Sequence, residues 1–253
     1  MLVSGRVACA PEAAKTQFVA EYNAGGAVFR AMNHYLLAFD LDGTLIDSVP
    51  DLTNSLNQVL REHGYGPLTR QEVAPMVGDG VPVLVGRAFA ARGGSPGEAA
   101  EALPRYIKIY EANAINETRP YPGVPETLRE LRRRGYRTGV CTNKLQQATM
   151  TVLQGLGLAD LFDAVAGGDR YPVRKPDPGH LTGLIRELGG TVERAAMIGD
   201  SENDAAAAHA APVPLVLMRY GYARTAPETL GADAVLDDFG ELPQALQRLG
   251  LTP

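Results

Sequence analysis

Short apolar runs alternate with amphipathic stretches along most of the chain. A run of this length, bounded by turn residues, is typical of a strand buried in a parallel sheet. Such runs lie at residues 35–40, 136–141, 163–167, 195–199 and 214–218. Stretches with helical spacing lie between and after them, at residues 124–134, 145–156, 178–188, 202–210 and 241–248. The alternation predicts an α/β fold whose core is a doubly wound, Rossmann-like parallel sheet.

The interval after the first predicted strand is far longer than a single crossover needs. About 95 residues separate it from the second strand, and they form four helical patterns, at residues 50–63, 70–77, 81–92 and 96–115. We expect Pro104 to kink or split the last of these helices. The sequence therefore predicts an all-helical cap over residues 49–120, inserted into a catalytic core formed by residues 35–48 and 121–253. Such a cap would exclude water and select substrates while the sheet carries the chemistry.

The first 34 residues show no clear hydrophobic periodicity and are rich in alanine and glycine. Met32 stands just before the first predicted strand. We therefore expect residues 1–34 to be an N-terminal extension that is poorly ordered or non-native. The alternative is some local order in residues 11–22, which have modest helical character.

Charge and cysteine content exclude several classes of protein. The net charge of -5 argues against a nucleic-acid surface. Two cysteines, Cys9 and Cys141, are too few for a disulfide framework or a cysteine metal cluster. No apolar run reaches the roughly 18 residues that a membrane span needs. We expect a cytoplasmic protein with no nucleic-acid or membrane partner, and the sequence leaves a homo-oligomer open.

Two aspartates follow the first apolar run directly. Asp40 and Asp42 are one residue apart, and in a strand such residues point to the same face. They would converge at the carboxyl end of the strand, where open α/β sheets bind ligands. Two carboxylates ~4 Å apart repel by roughly 4 kcal/mol at an effective dielectric constant near 20. A divalent cation would relieve this repulsion, and an oxygen-only ligand set favours Mg²⁺.

Four polar clusters each follow a predicted strand in this way. They are Asp40-Leu41-Asp42-Gly43-Thr44, Cys141-Thr142-Asn143-Lys144, Arg174-Lys175-Pro176-Asp177-Pro178 and Gly199-Asp200-Ser201-Glu202-Asn203-Asp204. Their order and spacing resemble the haloacid dehalogenase superfamily, in its phosphatase branch with a helical cap after the first strand. The resemblance extends from residue 35 to about residue 245.

The resemblance implies a role for each cluster in phosphoryl transfer. Asp40 would be the nucleophile that forms an aspartyl phosphate, and Asp42 would protonate the leaving group and then activate water. Thr142 and the backbone N–H of Asn143 would hold the phosphoryl oxygens. Lys175 would offset the negative charge of Asp40 and the phosphate. By themselves Thr142 fits a simple strand-end turn and Lys175 fits an exposed lysine.

The resemblance also implies the ligands of a Mg²⁺ ion. Asp200 would complete its coordination together with the Asp40 carboxylate and the Asp42 main-chain carbonyl. Asp204 lies one helical turn after Asp200 and would act in the second shell or through water. The alternative for Asp204 is a carboxylate that stabilises a helix N-terminus. We place Thr44, at the end of the first cluster, among the substrate-binding residues.

Further stretches resemble bacterial phosphoglycolate phosphatases. They are Val77-Gly78-Asp79-Gly80 with Arg87-Ala88, Tyr121-Pro122-Gly123-Val124, Gly167-Gly168-Asp169 and Tyr220-Gly221-Tyr222 with Gly231-Ala232-Asp233. This resemblance implies hydrolysis of 2-phosphoglycolate to glycolate and phosphate. The substrate carboxylate would need a local cation, and the candidates are Lys144 and Arg87. For Arg87, a surface arginine on a cap helix is an equal alternative. Gly78-Asp79-Gly80 lacks a preceding strand, so we expect it to shape a cap turn near the active site.

Three other functions remain open from the sequence. The cap does not exclude a phosphatase or phosphomutase for another small metabolite, such as a sugar phosphate. A phosphorylatable receiver-type module uses similar residues, but it is normally about half this length and lacks a large insert. A silent scaffold is disfavoured because Asp40, Asp42, Thr142, Lys175 and Asp200 are all present.

Overall fold

The computed structural model of the chain describes residues 34–253. The predicted N-terminal extension therefore lies outside the described residues, except for His34. Within this range the strands are β1 (Leu36–Phe39), β2 (Ile46–Asp47), β3 (Arg119–Pro120), β4 (Arg137–Cys141), β5 (Ala164–Ala166), β6 (Ala195–Gly199), β7 (Leu215–Met218) and β8 (Ala234–Leu236). The helices are α1 (Val49–Glu62), α2 (Arg70–Val73), α3 (Val81–Ala90), α4 (Pro96–Asn113), α5 (Val124–Arg133), α6 (Gln146–Gly155), α7 (Pro178–Glu187), α8 (Glu202–Ala210) and α9 (Leu242–Arg248).

Six of these strands form one parallel sheet in the order β5-β4-β1-β6-β7-β8. Strand β1 is central, and Leu36 pairs with Arg137 on one side and with Ala195 on the other. This confirms the predicted fold class. The sixth strand, β8, has three residues and was not predicted. The placement of β1 between β4 and β6 brings the carboxyl ends of these three strands side by side.

Apolar side chains cover both faces of the sheet. On one face Leu37 and Phe39 of β1 pack with residues of α5 and α9. On the other face Leu36 and Ala38 pack with residues of α7 and α8. Successive strand residues point to opposite faces, so a continuous apolar run is needed to bury both. This explains why the strands could be recognised as unbroken apolar segments.

Helices α1 to α4 form the inserted helical layer between β1 and β4. Helix α2 ends earlier than predicted, and a 3-10 turn over Ala74–Met76 replaces its last turn. The reason is Pro75, which has no N–H to continue the α-helical hydrogen bonds, although Ala74 before it keeps the α conformation. Helix α4 runs unbroken through Pro104, so the expected split does not occur. Pro104 and Ala100, whose carbonyl loses its helical partner, are both exposed, and water can satisfy that carbonyl.

The two connections between the insert and the sheet are tied together. Strands β2 and β3 pair in antiparallel fashion, with Ile46 opposite Pro120. The buried Asp51 carboxylate accepts hydrogen bonds from the backbone N–H groups of Glu117 and Thr118 at 2.8–3.0 Å, and from the Thr118 hydroxyl at 2.8 Å. The insert therefore leaves and rejoins the sheet at one place. The exact domain boundaries, 49–120 for the cap, stay a prediction.

Among the described residues, no helix combines the length and the apolar character that a membrane crossing requires.

Candidate active site

The predicted polar clusters meet at the carboxyl rim of the sheet. Asp40 extends β1, and its N–H donates to the Ile198 carbonyl of β6 at 2.9 Å. Thr142 extends β4, and its N–H donates to the Ala166 carbonyl of β5 at 3.0 Å. Asp200 directly follows β6. The strand order thus brings together residues that are 160 positions apart in the chain.

Close packing around Asp200 depends on a glycine. Gly43 has φ +89°, and a Cβ atom there would lie 2.3 Å from Asp200 Oδ2. The positive φ and this close approach both require a residue without a side chain. Thr44, one residue later, donates its hydroxyl to Asp200 Oδ1 at 2.8 Å, and the Tyr222 N–H donates to Oδ2 at 2.7 Å. In this structure Thr44 therefore orients Asp200, and its proposed contact with substrate stays a prediction.

Three buried carboxylates form the centre of the site. Asp40, Asp200 and Asp204 each offer an oxygen, and these oxygens lie within 4.8 Å of one another. Burial raises the pKa of Asp40 to about 6, and repulsion from Asp204 adds to this rise while Lys175 opposes it. Burial, followed by repulsion from Asp204 and Asp40, raises the pKa of Asp200 well above its usual range. The carboxylates are therefore electrostatically unfavourable by themselves.

Lys175 is the internal cation of this cluster. Its ammonium Nζ lies 3.0 Å from Asp40 Oδ1 and 2.6 Å from Asp204 Oδ1, and its side chain is 1% exposed. Burial would lower the pKa of Lys175, but the charges of Asp204 and Asp40 outweigh burial and raise it. Lys175 therefore stays charged at neutral pH. The interpretation as an exposed lysine is wrong.

The loop that carries Lys175 is held by its own hydrogen bonds. Asp177 caps α7 by accepting from the Gly179 N–H at 2.7 Å. The buried His180 Nδ1 accepts from the Lys175 N–H at 3.3 Å. Burial, helped by the Lys175 charge, lowers the pKa of His180 to about 4, so the ring is neutral and able to accept. His180 thus positions Lys175 rather than binding a metal.

Asp204 stabilises the N-terminus of α8, which is one of the two roles that the sequence left open. Its Oδ1 pairs with Lys175, as described above, while its Oδ2 accepts from the N–H groups of Asp200 and Ser201 at 3.1 and 3.0 Å. The Ser201 hydroxyl also donates to Oδ2, at 2.7 Å. Both oxygens are therefore engaged by protein groups. This favours an indirect role beside a metal, which stays a prediction.

Asp42 lies at the edge of the cluster and pairs with Lys144. The Lys144 ammonium is 3.0 Å from both carboxylate oxygens of Asp42. The same ammonium lies 4.6 Å from the ring centroid of Tyr110, on α4 of the insert. Lys144, which was predicted to bind a substrate carboxylate, is therefore already paired with Asp42, the predicted acid and base.

The loop formed by residues 77–80, called the cap loop, covers the core. The Asn143 side-chain amide donates to the carbonyls of Gly78 and Lys175, at 2.8 Å each. Asp79 accepts from the Asn203 amide at 2.6 Å and pairs with Arg224 at 2.5 Å. This confirms that the glycine-flanked Asp79 shapes a cap turn near the active site.

The second candidate cation, Arg87, faces the cap loop. It pairs with Asp79 at 2.5 Å and donates to the Met76 carbonyl at 2.9 Å. It does not line the pocket that contains Asp40 and Asp42. Its proposed contact with a substrate carboxylate stays a prediction.

Comparisons with known proteins agree with this geometry. A sequence model described as Haloacid dehalogenase-like hydrolase matches residues 37–218, which contain all four polar clusters. The chain belongs to the haloacid dehalogenase-like hydrolase family. It is 43% identical over 217 residues to a phosphoglycolate phosphatase from Caulobacter vibrioides, covering 85% of this chain and 91% of the relative. It is 44% identical over 228 residues to one from Rhodospirillum rubrum, covering 85% and 95% respectively.

A solved structure supports the same assignment. The crystal structure of a predicted phosphoglycolate phosphatase from Haemophilus somnus 129PT superposes with a TM-score of 0.80 at 32% identity. The match covers 83% of this chain and 97% of that protein. Together with the curated relatives, it identifies this member of the haloacid dehalogenase-like hydrolase family as a phosphatase, an enzyme that acts on a small phosphate ester.

The acidic cluster fits the metal ion, usually Mg²⁺, that phosphatases of this family generally use. Four carboxylates, those of Asp40, Asp42, Asp200 and Asp204, are accompanied by the ammonium groups of Lys144 and Lys175, which leaves a formal charge of -2. A divalent cation would balance this charge. Burial and mutual repulsion raise the pKa values of Asp40 and Asp200, and a bound cation would favour the ionised form of both.

A pocket opens between this cluster and the insert of the phosphatase. It encloses about 610 Å³ of space, part of it continuous with solvent. The core supplies polar groups, among them Asp40, Asp42, Thr142 and Lys144, whereas the insert supplies a mostly apolar wall. That wall includes Leu52, Val77, Val81, Leu84, Tyr106, Ile107 and Tyr110.

The tyrosines of this wall were missed by sequence reasoning. Tyr106 and Tyr110 lie on the buried face of α4, where they resemble ordinary core residues. The one available signal was their spacing of four residues, which places two hydroxyl groups on the same helix face.

Proposed function

We propose that this phosphatase is a Mg²⁺-dependent phosphomonoester hydrolase that acts through an aspartyl phosphate and converts 2-phosphoglycolate to glycolate and phosphate. The observation that carries the proposal is the gathering of Asp40, Asp200 and Asp204 around Lys175, directly below a small pocket. The names of the curated relatives support the choice of substrate.

Asp40 is the proposed nucleophile. The Leu41 N–H donates to its Oδ1 at 2.7 Å, and the Lys175 ammonium contacts the same oxygen. Within residues 34–253, no hydrogen bond to Oδ2 is found, so one oxygen is anchored and the other is free to react. Attack requires the ionised form of Asp40. The positive charge of Lys175 lowers the pKa of Asp40 and so favours this form.

The metal ligands in this proposal are the side chains of Asp40 and Asp200 and the main-chain carbonyl of Asp42. When bound there, Mg²⁺ would neutralise the charge on the phosphoryl oxygens. Thr44 orients Asp200 for this purpose, and Asp204 holds Lys175 beside the site. The ligand set is thus supported by neighbours that fix its geometry.

Asp42 is the proposed acid and base. Asp40 attacks the phosphorus, the bond from phosphorus to the glycolate oxygen breaks, and Asp42 gives a proton to that oxygen. Water then attacks the phosphorus, Asp42 takes the proton of the water, and the bond from phosphorus to Asp40 breaks. The Thr142 hydroxyl accepts from the Lys144 N–H at 3.3 Å, which leaves its hydrogen able to bond a phosphoryl oxygen.

The pocket favours a small substrate with one charged end. Most of its cap side is apolar, so a sugar with several hydroxyl groups would find few partners there. Lys144, beside Asp42, supplies the positive charge that a carboxylate needs. These features support 2-phosphoglycolate over a sugar phosphate.

A panel of phosphate esters tests the proposal. We expect kcat/KM with Mg²⁺ to be at least ~10-fold higher for 2-phosphoglycolate than for ethyl phosphate, its analogue without a carboxylate, or for hexose phosphates. A preference for hexose phosphates would replace the substrate. Transfer of phosphate between two positions of a sugar would indicate a phosphomutase. A single stable phosphorylation without turnover would contradict the hydrolase mechanism itself.

A further inference from the structure

Helix α4 places two parallel tyrosine rings in the pocket wall. Tyr106 and Tyr110 are four residues apart, so they share one helix face. Their ring centroids are 6.1 Å apart with an interplanar angle of 6°, and their exposures are 1% and 3%. The ring of Tyr110 contacts the ammonium of Lys144, which in turn binds Asp42. The pair therefore lies beside the reacting end of the pocket.

The hydroxyl groups of this pair have no partner in the part of the chain that the structure describes. Two other buried or partly buried tyrosines, Tyr136 and Tyr220, are satisfied. Tyr136 donates to the Leu251 carbonyl at 2.6 Å, and Tyr220 donates to the Thr44 carbonyl at 2.7 Å. A buried hydroxyl without a partner is destabilising, and phenylalanine would fill the same space without that cost. Among the described residues with such unpaired hydroxyls, only Tyr106 and Tyr110 line the pocket, so these are the hydroxyls that a substrate could satisfy.

The surroundings define which ligand group they suit. Burial raises the pKa of Tyr106 and Tyr110 well above the usual range, so both hydroxyls stay protonated and can donate. The Lys144 ammonium lies 4.6 Å from the ring centroid of Tyr110, and the charges of Lys144 and of its partner Asp42 both act on Tyr106. Two donors and one cation in a mostly apolar wall suit a single anionic acceptor.

We propose that Tyr106 and Tyr110 bind the end of the substrate remote from the phosphate, by donating hydrogen bonds to its carboxylate while Lys144 supplies the charge. This inference rests on the proposed function and names the groups that select its substrate. The matched pair of substrates is 2-phosphoglycolate and ethyl phosphate, which differ by the replacement of the carboxylate with a methyl group.

The variants Tyr106→Phe, Tyr110→Phe and the double variant test the inference, since each keeps the ring and removes the hydroxyl. We expect each single change to lower kcat/KM for 2-phosphoglycolate about 10-fold or more, mainly through KM, and to change ethyl phosphate less than ~2-fold. Equal losses for both substrates, or no loss for 2-phosphoglycolate, would overturn the inference.

Tyr136→Phe is the matched control because its hydroxyl is paired and lies outside the pocket. It is expected to lower the thermal unfolding midpoint without changing the ratio of the two substrates, whereas the pocket variants are expected to keep or raise that midpoint. A fall in the midpoint of the pocket variants comparable to that of Tyr136→Phe would assign the hydroxyls a structural role and overturn the inference.

A binding measurement separates selection from turnover. In the Asp40→Asn background with Mg²⁺, calorimetry is expected to show that Tyr106→Phe weakens 2-phosphoglycolate about 10-fold and leaves ethyl phosphate unchanged. If the unaltered enzyme hydrolyses ethyl phosphate as well as 2-phosphoglycolate, the proposed substrate is wrong, and the inference is wrong with it. If the enzyme prefers 2-phosphoglycolate and the tyrosine variants keep that preference, only the inference is wrong.

Discussion

The rim of the sheet and the wall of the cap differ in how their polar groups are satisfied. At the rim, Lys175 touches Asp40 and Asp204, and almost every charged group has a partner inside the protein. In the cap wall, the hydroxyls of Tyr106 and Tyr110 have none among the described residues. The rim thus carries the proposed chemistry, which all phosphate esters would share, whereas the wall carries unpaired donors that fit the proposed recognition of one substrate. Substitutions in the two regions should therefore have different consequences.

The largest effect is expected at the centre of the rim. Asp40→Asn removes the proposed nucleophile but keeps its shape, so turnover should fall by ~10⁴ or more for every phosphate ester. Steady-state kinetics measures the loss, and the thermal unfolding midpoint checks the fold. Asp160→Asn, at an exposed position, is the matched control and should retain full activity. Substantial turnover by Asp40→Asn would remove the covalent mechanism.

Metal removal should have the next largest effect. EDTA is expected to lower kcat by ~10³ or more because the charge at the phosphoryl group is no longer neutralised, and Mg²⁺ should restore it. Mg²⁺ should also raise the unfolding midpoint, since it relieves the repulsion among Asp40, Asp200 and Asp204. Asp200→Asn is expected to weaken this stabilisation. If Mg²⁺ raised the unfolding midpoint of Asp200→Asn as much as that of the unaltered protein, the metal would bind elsewhere.

The contrast between the regions can be tested through stability. Lys175→Met leaves Asp40 and Asp204 buried without their cation, and this should lower the free energy of unfolding by about 3–5 kcal/mol. Lys108→Met, on the exposed face of α4, should change it by less than ~0.5 kcal/mol. Tyr110→Phe should keep or increase stability. If Tyr110→Phe strongly lowered the free energy of unfolding and Lys175→Met did not, the comparison would be reversed. Chemical denaturation measures all three variants.

The same contrast explains what the sequence could predict. The rim residues follow apolar strands directly, so Asp40, Thr142 and Asp200 could be placed at one edge from strand periodicity alone. The cap residues lie on helix faces, where an apolar ring facing a pocket has the same pattern as one facing the core. Hence Tyr106 and Tyr110 were missed. The pairing of Lys144 with Asp42 was also missed, because it joins two loops that are distant in sequence.

The secondary structure shows a similar limit. Proline and glycine signals predicted most helix ends, but Pro75 shortened α2 and Pro104 did not interrupt α4. The two prolines differ in what surrounds them. At Pro104 the freed carbonyl belongs to an exposed residue, Ala100, and the helix is eighteen residues long, whereas α2 has only four residues. Exposure and packing, which the sequence does not contain, decided each outcome.

A pH effect tests the loop that holds Lys175. The folded protein keeps His180 neutral down to about pH 4, while the unfolded chain protonates it near pH 6.5. Between these values the unfolded state binds more protons, so stability should rise with pH. Relative to His180→Asn, the unaltered protein should gain up to about 3 kcal/mol from pH 4 to pH 6.5. Asp40 titrates in the same window with the opposite sign, but it is present in both proteins and cancels. Parallel stability curves would contradict the neutral His180.

The smallest effect is expected where the cap loop meets the core. Arg87 pairs with Asp79, which also binds Arg224 and Asn203 of the core. If Arg87 only supports this contact, Arg87→Met should raise KM for 2-phosphoglycolate and ethyl phosphate by the same few-fold factor, on the order of 3, as expected for a partly exposed ion pair. A direct contact with the substrate carboxylate would instead raise KM for 2-phosphoglycolate alone. Arg61→Met, an exposed cap residue, provides the baseline. The two KM ratios therefore decide whether selection by charge belongs to Lys144 alone or is shared with Arg87.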